Sequence, residues 1–404
     1  MKVLFISGAF PPLPSGESTN AFYLSRHLAD RGVDVHVLTT QGCATDDHPG
    51  VTVHPVMRHW SWSEAPRLAK FLQRTAPDVV FLLYLGWIYN YQFMTTFAPT
   101  LSKRVLPHVP FVTRFENAMG ADPRHTSLLA RVIRKGVARW DSDKNVDYCF
   151  GTLLRDSDRI IVLSDYHRMV LSQIHSGVTS KSVLIPPPPN MRMCPENDGA
   201  ARQRGRDMLG VKPDDFLVAY IGYIHAGKGL ETLLQAFQQV TARKDNVRLV
   251  MIGGPIAAQS DNPSSYVQDI HAFSKTLGID HRVTWTGSYA WDKDDASAYL
   301  RAADVCVLPF NTGVHLNNSS FASSVSHGLP IITTRGEVLD QPFIDQENVL
   351  LCPPKNSEAI AAAIETLIDN PHLQQRLRLG ALQLAQEWFS WKSAVDRTMA
   401  TFQL

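Results

Sequence analysis

The sequence has few cysteines, no excess of either charge and no long apolar run. Its five cysteines, Cys43, Cys149, Cys194, Cys306 and Cys352, are scattered over 404 residues. No two have the spacing of a metal site or a redox pair, and an odd number makes a poor disulfide framework. The longest apolar stretch, from Val79 to Tyr89, is too short to cross a bilayer. Thirty-nine Lys and Arg against 38 Asp and Glu leave a formal charge of +1, which argues against wholesale nucleic-acid binding while leaving local basic patches open. The 24 glycines and 25 prolines follow no period, so the chain is neither collagen-like nor a linker. A dinucleotide fingerprint is absent too: Gly8 and Gly16 lie too far apart, and Asp34 comes too early to be its distal acid. A Walker A loop would need Ser or Thr after Lys228, where Gly229 stands.

What is present is an apolar fraction of 44% and enough length for two cores, since a single core stops growing near ~250–300 residues. Short apolar strands are expected at Val3–Ser7, Val33–Thr39, Val79–Leu85, Pro110–Thr113, Arg159–Leu163 and Ser182–Ile185. Strands apolar on both faces belong to parallel sheets covered by helices. Thr19–Arg31 carries the helical spacing between the first two, with Gly32 as its C-cap. Four prolines, Pro186 to Pro189, then favour an extended connector, and Met191–Gly210 starts polar and irregular. The strand–helix alternation restarts at Phe216–Ile221 and runs to Val349–Cys352, with closing helices at Ser357–Ile368 and His372–Trp388. The expected fold class is α/β, with two Rossmann-like domains. Open parallel sheets bind ligands beyond the carboxyl ends of their strands, so two such sheets are expected to face each other across a cleft.

Three loops at those strand ends carry candidate chemistry. Pro11–Ser18 contains Gly16 and Glu17, where a glycine permits close backbone approach and the next helix offers N–H groups to a polar ligand. An ordinary proline-rich turn is the plainer alternative. Gly222–Gly229 (GYIHAGKG) follows a strand and opens a helix; Gly222 and Gly229 let the turn wrap a bulky anion, Tyr223 lies within it, and Lys228 adds a point charge to the helix N-terminus. That suits a diphosphate, against a solvent-exposed capping lysine. Pro309–Thr334 is dense in donors: Thr312, Gly313, His315, Asn317, Asn318, Ser319 and Ser320 can hold sugar hydroxyls and phosphate oxygens, or form a plain polar loop.

Together these segments resemble the GT-B glycosyltransferases of retaining family 4, over nearly the whole chain. The likeness rests on the loop Pro11–Gly16, on Lys228–Gly229, on Ala303–Asp304 through Pro309, on His327–Thr334 (HGLPIITT) and on Phe389–Ser390–Trp391. The resemblance implies an acceptor-side domain over 1–188, a nucleotide-sugar-binding domain over 189–385, and a final segment, 386–404, that crosses back to the first domain. It places Gly16 near the donor phosphates and Lys228 on the diphosphate. Tyr223 stands where the family has an arginine. The family's Glu-x7-Glu motif falls on His315 and Ser323, so this would be a divergent branch without either carboxylate. A Thr-x-His-acid pattern corresponds to Thr113–Arg114–Phe115–Glu116–Asn117, leaving Glu116 and Asn117 as cleft candidates, or Glu116 as a capping or surface acid.

The implied reaction moves a hexose from a nucleotide-sugar, a UDP-sugar favoured, to a hydroxyl of a glycan, glycolipid or glycoside acceptor. Glu116, Asn117 and His315 are the candidate catalytic residues, and the remaining loop residues bind the donor. Alternatives are an inactive nucleotide-sugar-binding protein of the same fold and a GT-B sugar epimerase. No cofactor beyond the donor is expected, and no metal: Asp141–Asp143 and Asp156–Asp158 are not convincingly at strand ends. The basic stretch 124–140 reads as the solvated face of a domain helix or as a peripheral membrane contact, for which a lipid-linked acceptor would be suited. A cytoplasmic location is expected, with no nucleic-acid partner.

Overall fold

The computed structural model describes residues 1–13, 15–44, 48–118, 132, 146–147, 149–194, 199–255 and 264–403. They form two compact units, residues 1–186 with 391–404, and residues 187–390.

The first unit is built on a sheet of seven parallel strands among the described residues: β1 (Lys2–Ile6), β2 (Asp34–Thr40), β3 (Val51–Met57), β4 (Val79–Tyr84), β5 (Phe111–Phe115), β6 (Arg159–Val162) and β7 (Ser182–Leu184). Their order is β3-β2-β1-β4-β5-β6-β7, so the chain reverses its direction of travel across the sheet between β1 and β4. That switch point is where open α/β sheets place ligands. All six residues of β4 are buried, as helices on both faces require of a central strand. β3 was not expected from the sequence, because Pro55 interrupts VTVHPVM. It lies at the sheet edge, where a missing N–H leaves no ladder bond unmade.

Helix α1 (Gly16–Ala29) begins three residues before the expected Thr19 because Ser15 caps it, its hydroxyl accepting from the Ser18 N–H at 3.0 Å. Helix α2 (Ala65–Thr75) follows β3. Near the chain's end a helix at Trp391–Phe402 packs back onto this unit. Trp391 lies 4.5 Å from the His27 ring and 6.0 Å from the Tyr23 ring, Phe402 meets Phe81 edge-on at 5.6 Å, and Asp396 pairs with Arg31.

The second unit repeats the plan with six strands, β8 (Phe216–Ile221), β9 (Val247–Ile252), β10 (Val283–Gly287), β11 (Val305–Leu308), β12 (Ile331–Thr334) and β13 (Leu350–Cys352). Their order is β10-β9-β8-β11-β12-β13, with the switch between β8 and β11. The polar stretch after the prolines contains a helix, Gly199–Leu209, that its low apolar content had hidden. Its backbone is close to its neighbour: a Cβ on Gly205 would lie 2.1 Å from the Ala298 carbonyl oxygen. Among the described residues no helix is long and apolar enough to cross a membrane.

Candidate functional site

The sequence-predicted residues fall into two groups, one on each unit. On the second unit they gather at the carboxyl ends of the switch-point strands. The loop 222–229 leaves β8 and enters helix α3 (Leu230–Thr241), and the loop 309–318 leaves β11 and enters helix α4 (Ser319–Ser326). The two loops touch through backbone: the Asn311 N–H donates to the Gly227 carbonyl at 3.1 Å. Gly229 has φ +72°, and a Cβ there would sit 1.9 Å from the Pro309 carbonyl oxygen. Only glycine permits that approach. Gly222 is similarly pressed, with the Ser320 hydroxyl 2.7 Å from where its Cβ would be.

Lys228 belongs to the first of these loops and reaches over the second. Its ammonium lies 5.0 Å from the centre of the Phe310 ring, and among the described residues no carboxylate pairs with it. Burial pushes its pKa down to about 8. A half-buried cation with no carboxylate partner is a candidate contact for an anion.

The third loop divides its donors between ligand-facing candidates and its own architecture. Asn318 is the N-cap of α4, its carboxamide oxygen accepting from the Ser320 and Phe321 N–H groups at 3.1 and 3.2 Å. Ser323 is buried and its hydroxyl donates to the Ser319 carbonyl at 2.9 Å. Thr312 is exposed, Gly313 is buried against Gly336, and Asn317, Ser319 and Ser320 are half-buried. Tyr223 is half-buried and its carbonyl accepts from the Tyr220 hydroxyl at 2.9 Å. The His315 Nδ1 lies 3.3 Å from Asp340 Oδ2, and the same oxygen accepts from the Leu316 N–H at 2.8 Å. Replacing Asn318 with alanine should cost about 1 kcal/mol through the lost cap. Chemical denaturation reads this directly, and an unchanged unfolding midpoint would show the cap to be idle.

On the first unit, period-2 alternation puts Arg114 and Glu116 on one face of β5 and its extension. Arg114 is among the largest fully buried side chains in the molecule, and its Nε lies 2.7 Å from Glu116 Oε1. Burial raises the Glu116 pKa, with the Arg114 charge and hydrogen bond working against the rise. Glu17, in the first turn of α1, belongs to the same electrostatic neighbourhood. Burial pushes its carboxyl up to about 7; its own main-chain N–H and the Ser15 hydroxyl oppose this, and the Glu116 charge adds to it. Gly16 opens α1 beside it, and Asn117 follows Glu116, both half-buried. Phe115 points the other way, buried with Tyr84 and Phe150 at ring distances of 5.5 and 5.7 Å.

Because the folded-state pKa of Glu17 lies above the ordinary 4.5, its neutral form favours folding below that value, and the advantage is lost as pH rises through 7. Glu17→Gln should therefore stabilise the protein by up to about 3 kcal/mol at pH 8 and by little at pH 4.5. Thermal melts at both pH values test this; equal gains at both would contradict the assignment.

Comparison with known proteins brings the two units under one description. A family model described as "Glycosyltransferase Family 4" matches residues 14–190, and one described as "Glycosyl transferases group 1" matches residues 215–370. The chain belongs to the family 4 glycosyltransferases. Their GT-B fold is that of sucrose-phosphate synthase from Thermosynechococcus elongatus, which superposes with a TM-score of 0.71 at 17% identity over all of this chain and 98% of that one. Anabaena HepE in complex with UDP and glucose gives 0.69 at 17%, over all of this chain and 99% of its own. Among curated proteins, D-inositol 3-phosphate glycosyltransferase of Corynebacterium diphtheriae is 22% identical over all of this chain and 94% of its own length. The same-named protein of Segniliparus rotundus is 26% identical over 63% of this chain, an alignment spanning about half of that relative (54%).

As a family 4 glycosyltransferase, the chain departs from the family pattern at several positions. Neither carboxylate of Glu-x7-Glu is present; His315 stands beside Asp340, and the Ser323 hydroxyl is spent inside α4. His327 of the HGLP segment is structural: its ring bridges the Ser323 carbonyl at 2.7 Å and the Ser297 hydroxyl at 2.7 Å, and burial lowers its pKa to about 4, which keeps it neutral. Sequence reasoning missed Arg114 and Asp340. An arginine inside the apolar run FVTRF was the available signal for the first; nothing local marked the second. Asp156 and Asp158 hold Thr100, Arg155, Lys103 and the Phe111 N–H. Asp141–Asp143 and, apart from Val132, the basic stretch 124–140 lie outside the described residues.

Proposed function

We propose that this family 4 member is a retaining, metal-independent hexosyltransferase acting on a nucleotide-sugar, with a UDP-sugar as the first donor to try. The observation that carries this reading is Lys228: a half-buried ammonium with no carboxylate partner among the described residues, in a turn closed by Gly229 onto the Pro309 carbonyl. Departure of a nucleoside diphosphate develops negative charge, and stabilising that charge is the largest catalytic demand. Lys228, the N–H groups of residues 227–230 and the 312–320 turn supply the donors. The leaving phosphate then takes the acceptor proton on the same face of the sugar, which gives retention without a carboxylate nucleophile. The first unit holds the acceptor through hydroxyl contacts to Glu17, Glu116 and Asn117. UDP is favoured because HepE, of the same fold, has been solved with UDP and with UDP-glucose. The name of the Corynebacterium relative adds a phosphorylated polyol to the acceptors worth testing.

The same positions also support a second reading, a protein that binds the nucleotide-sugar and transfers poorly or not at all. It is favoured by Phe115 and Ser323, whose side chains are committed to packing and to a helix carbonyl. Purified protein screened against UDP-, GDP- and ADP-sugars, with and without EDTA, separates the two. Binding followed by an acceptor-dependent product that keeps the donor's anomeric configuration supports the first, and binding without product supports the second. No binding to any nucleotide-sugar would sink both.

A further inference from the structure

A second collection of cations lies on the first unit, away from the loops described above. Helix α2 carries Arg67, Lys70, Phe71 and Arg74 at i, i+3, i+4 and i+7, so they form one stripe along its surface. That stripe walls a groove of about 720 Å³ whose other sides include Lys2, His36 and His54. Lys2 begins β1, and its ammonium donates to the carbonyl of Thr75, the last residue of α2, at 3.3 Å. The groove therefore opens towards the amino ends of the strands. Gly16 and Glu116 follow the carboxyl ends of β1 and β5, so the two places are distinct.

The floor is ordered. His36 Nδ1 and His54 Nε2 are 2.9 Å apart, the two rings stack within 6° of parallel, and Phe71 meets His54 edge-on at 5.0 Å. The acidic groups nearby are already engaged. Glu64 takes Arg67 at 2.7 Å and Arg58 at 3.2 Å, Asp34 lies 3.4 Å from His36 Nε2, and Asp78 accepts from the Lys2 main-chain N–H at 2.7 Å. Lys70 and Arg74 are exposed and pair with no carboxylate among the described residues. The Lys2 ammonium meets only a carbonyl oxygen there. Three uncompensated cations above a floor of paired imidazoles and one aromatic ring match a doubly charged tetrahedral anion on a small organic body. A polyol would leave the charge unanswered, and a single carboxylate would answer only part of it.

We propose that this groove is a binding site for a phosphoryl group, carried either by a soluble phosphoester or by a phospholipid headgroup, and separate from the donor site on the second unit. Lys2, Lys70 and Arg74 supply the charge, and the His36–His54 pair with Phe71 forms the floor.

The test uses the full chain in a Lys228→Met background, so that pyrophosphate binding at the donor loop is weakened. Calorimetric titration with inorganic pyrophosphate should show one site. The double substitution Lys70→Glu with Arg74→Glu should weaken it at least tenfold, and ring resonances of His36 and His54 should move on binding only in the unsubstituted groove. A milder pair, Lys70→Gln with Arg74→Gln, should weaken binding in the same direction, so that loss of fold in the first pair does not decide the result. Co-sedimentation with phosphatidylglycerol vesicles distinguishes the sources. Vesicle binding that pyrophosphate displaces and the double variant loses assigns a lipid headgroup; pyrophosphate binding without vesicle binding assigns a soluble phosphoester. No pyrophosphate or vesicle binding, or binding that survives both charge pairs unchanged, overturns the proposal.

Discussion

Arg114→Met should destabilise the protein by about 3–5 kcal/mol, because it leaves Glu116 buried without the cation that offsets its desolvation. The size of the loss should depend on pH. Burial already raises the Glu116 pKa above 4.5 in the folded state, and removing the guanidinium raises it further. A carboxyl with a raised folded-state pKa favours folding while it is protonated and disfavours it once pH exceeds that pKa. The variant should consequently lose less at pH 4.5 than at pH 8. Adding Glu116→Gln should recover part of the loss, since the pair then leaves no buried charge and one methionine of similar length. Urea unfolding of the single and double variants at both pH values measures this. A loss that ignores pH and is not relieved by Glu116→Gln would mean that Arg114 acts by packing alone.

Lys228→Met should move stability and binding in opposite directions. Nucleoside diphosphate affinity should fall roughly 10–100-fold, the equivalent of about 1.5–3 kcal/mol for hydrogen bonds to a charged group. The apo protein should become more stable at pH 7, by about 1–3 kcal/mol, because a methionine needs no solvation where the ammonium is held. The sign follows from the lysine pKa, which burial lowers to about 8: the folded state disfavours the charged form below that value, and the penalty fades as pH climbs towards 10.5, where the lysine is neutral in both states. Calorimetric titration with UDP and a melt at pH 7 and pH 10 read both effects. Unchanged affinity would remove the phosphate assignment, and lower stability would show that Lys228 holds the turn together instead of waiting for an anion.

Strand and helix identity was largely legible because it depends on short-range periodicity. Phe216–Ile221, Leu230–Thr241 and Asp295–Ala302 stand where their apolar spacing puts them. The elements that escaped had weak local signals and strong tertiary support. β3 carries a proline that only an edge strand tolerates, and Gly199–Leu209 has few apolar residues and a glycine set by close backbone packing. The turn at 222–229 was legible for a related reason. Glycine and lysine announce their roles locally, through φ freedom and charge.

The sequence by itself determined that this chain is a two-part α/β protein with glycine turns at its strand ends and a lysine poised over one of them. Only the tertiary structure decided which polar residues are committed elsewhere. Asn318 and Ser323 read as ligand donors, but once α4 forms, its own first turns take the Asn318 carboxamide oxygen and the Ser323 hydroxyl. Asp340 was silent in the sequence because its partner is set by how the loops fold back, 24 residues apart for the Leu316–Asp340 contact. Burial does the same for ionisation. Glu17 and Lys228 are ordinary titrating residues in a free chain, and it is the removal of water around them that brings one up to about 7 and the other down to about 8.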